Sequence, residues 1–319
     1  MARIKRIYYR PKQHRLRWPL HCVALCLTLF SGALSADTLA VVYPDLPPPY
    51  KQVFDQIIQG IETEHNDTLI KYPIDKPIPP DNLLQTMNDA GVNRVITLGR
   101  RGYAYNNTLK KTYFVVTGAL PIKPNGVSGV SLIAAPANLF EQLRTLSPKT
   151  RQVFVVYTSK SEWLIEKAKQ AAADKQLTLI AKKVTDLGEA VEHYQNILQS
   201  ANSVTDAIWL PLDNITANEN VILPLLLRES WDKNFVVFSS KPGHVRRGFL
   251  FTLFPDNFQD GAHLAQMVAS MKAGEKEPGV ELSLTRRVGV NLRTASHLGL
   301  EYSVKMKSSF YQTFPQSGF

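Results

Sequence analysis

The sequence predicts an α/β protein of two lobes, each built on a parallel sheet, joined by a hinge. From Thr38 onward short apolar runs alternate with longer amphipathic ones, and the alternation occurs in two series of similar size. Strand–helix alternation demands right-handed crossovers and a parallel sheet covered on both faces. Elements left over after the second series would return the chain to complete the first, which is the topology of a hinged pair.

Taken in order, Thr38–Tyr43 (TLAVVY) reads as a buried strand. Tyr50–Glu64 reads as a helix with Val53, Phe54, Ile57, Ile58 and Ile61 on one face. Thr68–Tyr72 is a second strand. Asp81–Ala90 is a helix entered through Pro79-Pro80 and closed by Gly91. Arg94–Leu98 and Thr112–Thr117 are further strands. The second series opens with a helix at Asn138–Leu146, stopped before Pro148, and a strand at Gln152–Tyr157. A helix at Glu162–Asp174, a strand at Leu177–Ala181 and a helix at Glu189–Gln199 follow. Then come Asp206–Leu210 (strand), a helix around Val221–Glu229 and the strand Phe235–Phe238. Residues 243–254 read as a crossing segment, Asp260–Ala273 as a helix, Arg287–Asn291 as a late strand and Thr294–Leu298 as a short helix. The expected division is 37–134 plus about 243–284 for the first lobe and 135–242 plus about 285–300 for the second. The tail, 301–319, has no clear period; either Phe310, Tyr311 and Phe314 dock on a lobe or the segment is disordered.

The N-terminus carries Arg3, Lys5, Arg6, Arg10, Lys12, Arg15 and Arg17, then an apolar stretch from Leu20 to Phe30, then Ser31, Gly32, Ala33, Ser35 and Ala36. Positive head, short apolar centre and small-residue exit are the parts of a secretory signal peptide, here residues 1–36. The apolar centre is shorter than the roughly 20 residues that span a bilayer. An uncleaved anchor is the alternative. Export places the protein in the periplasm.

Removing that segment changes the charge. Seven of 37 basic residues and none of 27 acidic ones precede Asp37, leaving 30 against 27, a net +3. The basic balance of the full chain therefore belongs to the export signal and does not indicate nucleic acid. Both cysteines, Cys22 and Cys26, leave with it, so the remainder has no disulfide, thiolate nucleophile or cysteine metal site.

In open parallel sheets ligands sit outside the carboxyl ends of the strands. Asp45 and Pro47-Pro48-Pro49-Tyr50 follow the first strand; Gly99-Arg100-Arg101-Gly102-Tyr103 follow Leu98; Thr117 and Gly118 follow Val116. In the second series Thr158, Ser159, Ser161 and Glu162 follow Tyr157, Asp213 and Asn214 follow Trp209-Leu210-Pro211, and Ser239-Ser240 follow Phe238. The candidate ligand contacts are Asp213, Asn214, Tyr157, Thr158, Ser159, Ser161, Thr117, Arg100 and Ser239. Each has a plainer reading. Ser161, Glu162 and Asp213 are equally suited to capping the helices that follow, the arginine pair to a solvated surface, and the tyrosines to packing.

Catalytic signatures are missing. The histidines that follow the signal are scattered with no pair at metal-ligand spacing, Gly126-Val127-Ser128-Gly129 lacks the spacing of a nucleophile elbow, and there is no phosphate loop. Together these favour binding over catalysis, with no cofactor and no metal.

Leu146-Ser147-Pro148 leading to Val153–Tyr157 and Thr158-Ser159-Lys160-Ser161-Glu162 resembles a stretch of the ABC-transporter substrate-binding proteins, in the group that includes aromatic amino-acid binders. Asp206–Leu210 with Pro211, Asp213 and Asn214 is similar to that family's strand-end motif. Val245-Arg246-Arg247-Gly248, Gly261, Lys272-Ala273-Gly274-Glu275, Val290-Asn291-Leu292, Ala295 and Leu298-Gly299 continue the likeness in order, over roughly 126–300. The resemblance implies two Rossmann-like lobes of the type I periplasmic-binding kind, on a three-stranded hinge that closes like a clamp. It implies that Asp213 meets a ligand ammonium with Asn214 beside it, and that Thr158, Ser159 and Ser161 offer hydroxyls and helix-end amides to a carboxylate. The first lobe departs from the pattern at Gly99–Tyr103, at Val116-Thr117-Gly118-Ala119 and in the three-proline loop.

The expected function is capture of a small organic ligand, amino-acid-like or other, for an ABC permease, by a monomer. The alternative is a periplasmic sensor or accessory protein working with another membrane partner; an enzyme on this scaffold is a distant third.

Overall fold

The structure is a computed structural model and describes residues 37–65, 68–275 and 279–315. The proposed signal peptide lies outside the described residues.

The first series forms β1 (Thr38–Pro44), α1 (Tyr50–Glu64), β2 (Thr68–Ile74), α2 (Pro80–Asp89), β3 (Arg94–Leu98), α3 (Gly99–Tyr103), α4 (Asn106–Leu109), β4 (Phe114–Leu120) and β5 (Gly129–Ala134). The second forms α5 (Pro136–Leu146), β6 (Gln152–Tyr157), α6 (Glu162–Asp174), β7 (Thr178–Lys183), α7 (Leu187–Ser200), β8 (Asp206–Leu210), α8 (Ile222–Asp232) and β9 (Val236–Ser239). The return comprises α9 (Pro242–Arg247), β10 (Phe251–Phe254), α10 (Asn257–Lys272), β11 (Val280–Ser283), β12 (Arg287–Asn291), α11 (Leu292–His297), α12 (Val304–Ser308) and β13 (Gln312–Phe314).

Two parallel sheets result. One runs β11-β5-β4-β3-β1-β2, the other β7-β6-β8-β9. A third, β10-β12-β13, pairs β10 with β12 antiparallel and β12 with β13 parallel. Phe251, Leu253, Val288 and Val290 of that small sheet share a core with Phe140, Trp209 and Phe238 of the second lobe. The chain therefore passes between the lobes at 134–136, 254–257 and 283–287.

The central strands are apolar because both faces are covered; β3 and β8 are buried at every residue. In the first lobe Ile57, Ile58 and Ile61 of α1 join Leu264, Ala265 and Val268 of α10 over β1, β3 and β4. The two helices cross backbone to backbone. A Cβ on Gly60 would lie 2.0 Å from the Phe258 carbonyl oxygen, and one on Gly261 2.0 Å from that of Ile57. That close approach fixes where the first turn of α1, with Tyr50, Val53 and Phe54, projects. The helix α10 opens at Asp256, whose carboxylate accepts from Gln259 N.

In the described part of the tail, 301–315, β13 pairs with β12, Tyr311 N donates to the Val288 carbonyl (2.9 Å), and Arg287 lies over the Tyr311 ring. The structure also adds elements the sequence reading does not name, α3 and α4 in the 99–109 segment, and α9 ahead of the crossing strand in 243–254.

Candidate functional site

Adjacent strands bring their carboxyl-end loops together, and β6 lies beside β8. Thr158 and the 3-10 turn Ser159–Ser161 leave β6; Pro211–Asn214 leave β8. Asp213 joins them. Its Oδ2 accepts from Thr158 N (3.2 Å), Thr158 Oγ1 (2.6 Å) and Ser161 Oγ (2.9 Å). Its Oδ1 accepts from Ile215 N (3.0 Å) and Thr216 N (3.2 Å). Five donors meet a group with roughly four lone-pair sites. Burial alone would push this carboxyl up, but the hydrogen bonds from Thr158, Ser161, Thr216 and Ile215 outweigh it and hold it below the usual range. Asp213 is only 7% exposed, so it is an ionised clasp between two loops.

Around the clasp, Tyr157 belongs to the second-lobe core and Thr158 and Ser161 are buried. Ser159 and Asn214 are exposed at the rim. Ser239, at the end of β9, is sealed: its Oγ lies 2.8 Å from His244 Nδ1 and accepts from Lys241 N (3.1 Å). His244 is pushed down to about 4 by burial and by Lys241 and Arg247 nearby, so its ring is neutral near pH 7. Trp209 Nε1 donates to Ser240 Oγ (2.9 Å).

In the first lobe Thr117 is equally enclosed. Asn106 Nδ2 donates to its hydroxyl (2.6 Å), Thr97 Oγ1 lies 2.9 Å from the same atom, and Thr97 donates to Asn106 Oδ1 (2.7 Å). The arginines divide their roles. Gly99, with φ +64°, turns β3 directly into α3. Arg101 then donates to the carbonyls of Asp45 (3.2 Å), Ile74 (3.0 Å) and Asp75 (2.9 Å), tying the loops after β1 and β2 together. The Arg100 side chain is exposed and among the described residues makes no hydrogen bond or ion pair.

Arg100 borders a cavity of about 690 Å³ at the carboxyl ends of this sheet. Pro44 and Leu46 after β1, Tyr50, Val53 and Phe54 of α1, and Leu120 and Leu132 of β4 and β5 form its apolar wall. Phe254 and Tyr311, from the small third sheet and the segment before β13, close one side, their ring centroids 5.5 Å apart. Ala119, also in the wall, has φ +57° at a register shift between β4 and β5, a bulge of the kind that re-aims side chains beside sites. Tyr50 (65%) and Tyr311 (53%) stand exposed. A smaller cavity of about 320 Å³, beside Trp231, Arg246 and His297, opens between α8, α9 and α11 instead.

Thus the second-lobe residues Tyr157, Thr158, Ser161 and Asp213 come together, Ser159 and Asn214 edge them, and Ser239 and Thr117 lie inside their lobes. Arg100 stands at the cavity. Leu46, Phe54, Leu120, Phe254 and Tyr311 of the cavity wall are not among the strand-end residues that the sequence points to. One signal did exist: the apolar stripe of α1 extends a turn beyond the core, from Ile57 back to Val53 and Tyr50.

A two-lobed, hinged α/β architecture with a cavity at its strand ends defines a solute-binding class of protein. A family model for ABC transporter substrate binding protein matches residues 121–310, more than half of the chain, and the protein belongs to that family. The chain is similar in fold to the ABC domain of Streptococcus pneumoniae solved in complex with L-Trp. That match is 18% identical, covers 88% of this chain and 100% of that one, and has a TM-score of 0.50. It is also similar to the ligand-free, open structure of a substrate binding protein with adhesive properties from Clostridium difficile. There the identity is 15% over 86% of this chain and 98% of that one, with a TM-score of 0.58. No curated protein matches the chain. Among the described residues no helix is long and apolar enough to cross a membrane, and no cluster of His, Cys, Asp and Glu is arranged to hold a metal ion.

Proposed function

We propose that this protein, exported to the periplasm and monomeric, captures a small organic solute in the cleft between its lobes and delivers it to an ABC permease. The cavity of about 690 Å³ carries the reading: it sits at the strand ends where open parallel sheets bind ligands, and it lies within the roughly 300–1,000 Å³ of small-molecule sites. The apolar part of the solute rests on the first lobe. The second lobe closes with Ser159 and Asn214 at its rim and the Thr158–Ser161–Asp213 clasp holding them in place. The near-neutral balance after residue 36 supports a small molecule over nucleic acid as the partner.

A thermal-shift screen of ligand-stripped protein against amino acids, organic acids, sugars and amines tests this. A ligand that binds only the folded form raises the melting temperature once its concentration exceeds its Kd. At least one class should do so in a saturable way; no shift with any class would overturn the proposal.

A further inference from the structure

We infer that the solute is an apolar, ring-bearing or branched organic anion that carries no ammonium group, held by its anionic end on Arg100. This rests on the solute-capture reading above and specifies its chemistry. The cavity wall holds Arg100 and Arg101 and no acidic side chain. Arg101 is spent on three carbonyls, whereas the Arg100 side chain has no partner among the described residues, at a site walled by Phe54, Leu120, Leu132 and Phe254. A guanidinium beside an apolar wall matches a carboxylate, sulfonate or phosphate, which it can grip through two parallel hydrogen bonds.

The acids that could meet an ammonium are engaged elsewhere. Asp213 is saturated by its five donors. Glu162 pairs with Lys183 (2.9 Å), Asp186 caps α7 through Glu189 N, and Glu219 pairs with Lys241 and Arg247. Asp256 pairs with Arg287 (2.9 Å) and caps α10. Asp45 and Asp75 follow β1 and β2 but do not line the cavity. An ammonium placed here would lose water, gain no carboxylate and sit near a second cation; an anion would gain Arg100.

Matched probes separate these cases: 3-phenylpropionate, L-phenylalanine and 2-phenylethylamine, and indole-3-propionate, L-tryptophan and tryptamine, titrated calorimetrically into the full protein. The carboxylates should bind at least tenfold more tightly than either ammonium-bearing partner. Arg100→Gln should remove that preference, and Arg100→Lys should restore part of it. Equal or tighter binding of the amino acids or amines overturns the inference and leaves solute capture standing. So does a metabolite screen whose only ligands are neutral or cationic. Unchanged carboxylate affinity in Arg100→Gln overturns the assignment of the anion to Arg100. A screen with no ligand of any class overturns the solute-capture reading itself.

Discussion

The two lobes carry opposite chemistry at corresponding places. At the carboxyl ends of β6, β8 and β9 the polar side chains of Thr158, Ser161, Asp213 and Ser239 are buried and bonded to their own lobe. At the ends of β1, β3 and β4 the chain leaves aromatic and aliphatic side chains exposed beside an arginine that no described residue pairs. On the proposed function, the difference separates stability from capture. The strand-end polar groups of the second lobe are satisfied within that lobe, whereas the first leaves apolar side chains exposed where the proposed solute would rest.

The sharpest way to break this contrast is to remove the clasp. Asp213→Ala strips acceptors from two buried hydroxyls and three backbone amides, and should cost about 3 kcal/mol in urea unfolding, since each orphaned buried donor costs roughly 1–3 kcal/mol before relaxation. A loss under about 1 kcal/mol would mean the clasp is ornamental. The acid dependence has a definite sign. Because folding lowers the Asp213 pKa, its stabilisation is full above the ordinary value of 3.8 and fades as pH falls through the lower folded value.

A second buried carboxylate behaves in the opposite way. Asp260 on α10 receives only Ser283 Oγ (2.7 Å) on Oδ1, and its Oδ2 has no partner. Burial raises its pKa to about 6, with Asp256 adding to the rise and Ser283 and Arg287 opposing it. Here folding favours the protonated acid, so the cost of ionisation is absent below pH 3.8 and complete above about pH 6. Asp260→Asn should therefore stabilise the protein by about 2 kcal/mol at pH 7.5 and progressively less on acidification, because each tenfold change in the ionisation equilibrium is worth about 1.4 kcal/mol. A gain independent of pH would contradict this assignment.

The smallest effects come from the first-lobe arginines. Arg101→Gln should cost about 1 kcal/mol, because three carbonyls lose a charged donor at a partly exposed site. Arg100→Gln should change thermal stability by less than about 0.5 kcal/mol, as expected of a surface residue with nothing to lose. Equal losses would show that Arg100 holds the fold.

Much of the second lobe was legible because its strands and helices carry clean periods: β6, α6 and β8 begin and end where the sequence places them. The same holds for α1, β3 and β12. What escaped depends on distant partners. Strand β11 is four residues long and exists by pairing with β5, about 150 residues away. The Gly99–Tyr103 helix reads as a loop because two of its five residues are glycine. It forms because Gly102 packs against β1, where a Cβ would come 2.5 Å from the Val42 carbonyl oxygen. The polar clasp could be found strand by strand, since its members follow β6 and β8. The cavity could not: its walls come from segments as far apart as Leu46 and Tyr311, and only the third sheet brings Tyr311 there.

The most direct test of capture on the first lobe is a crystal structure with the tightest ligand from the screen. Capture there predicts density for the ligand's apolar body among Phe54, Leu132 and Phe254, with its polar end toward Arg100. Density confined to the neighbourhood of Asp213, or to the smaller cavity beside Trp231, would contradict it.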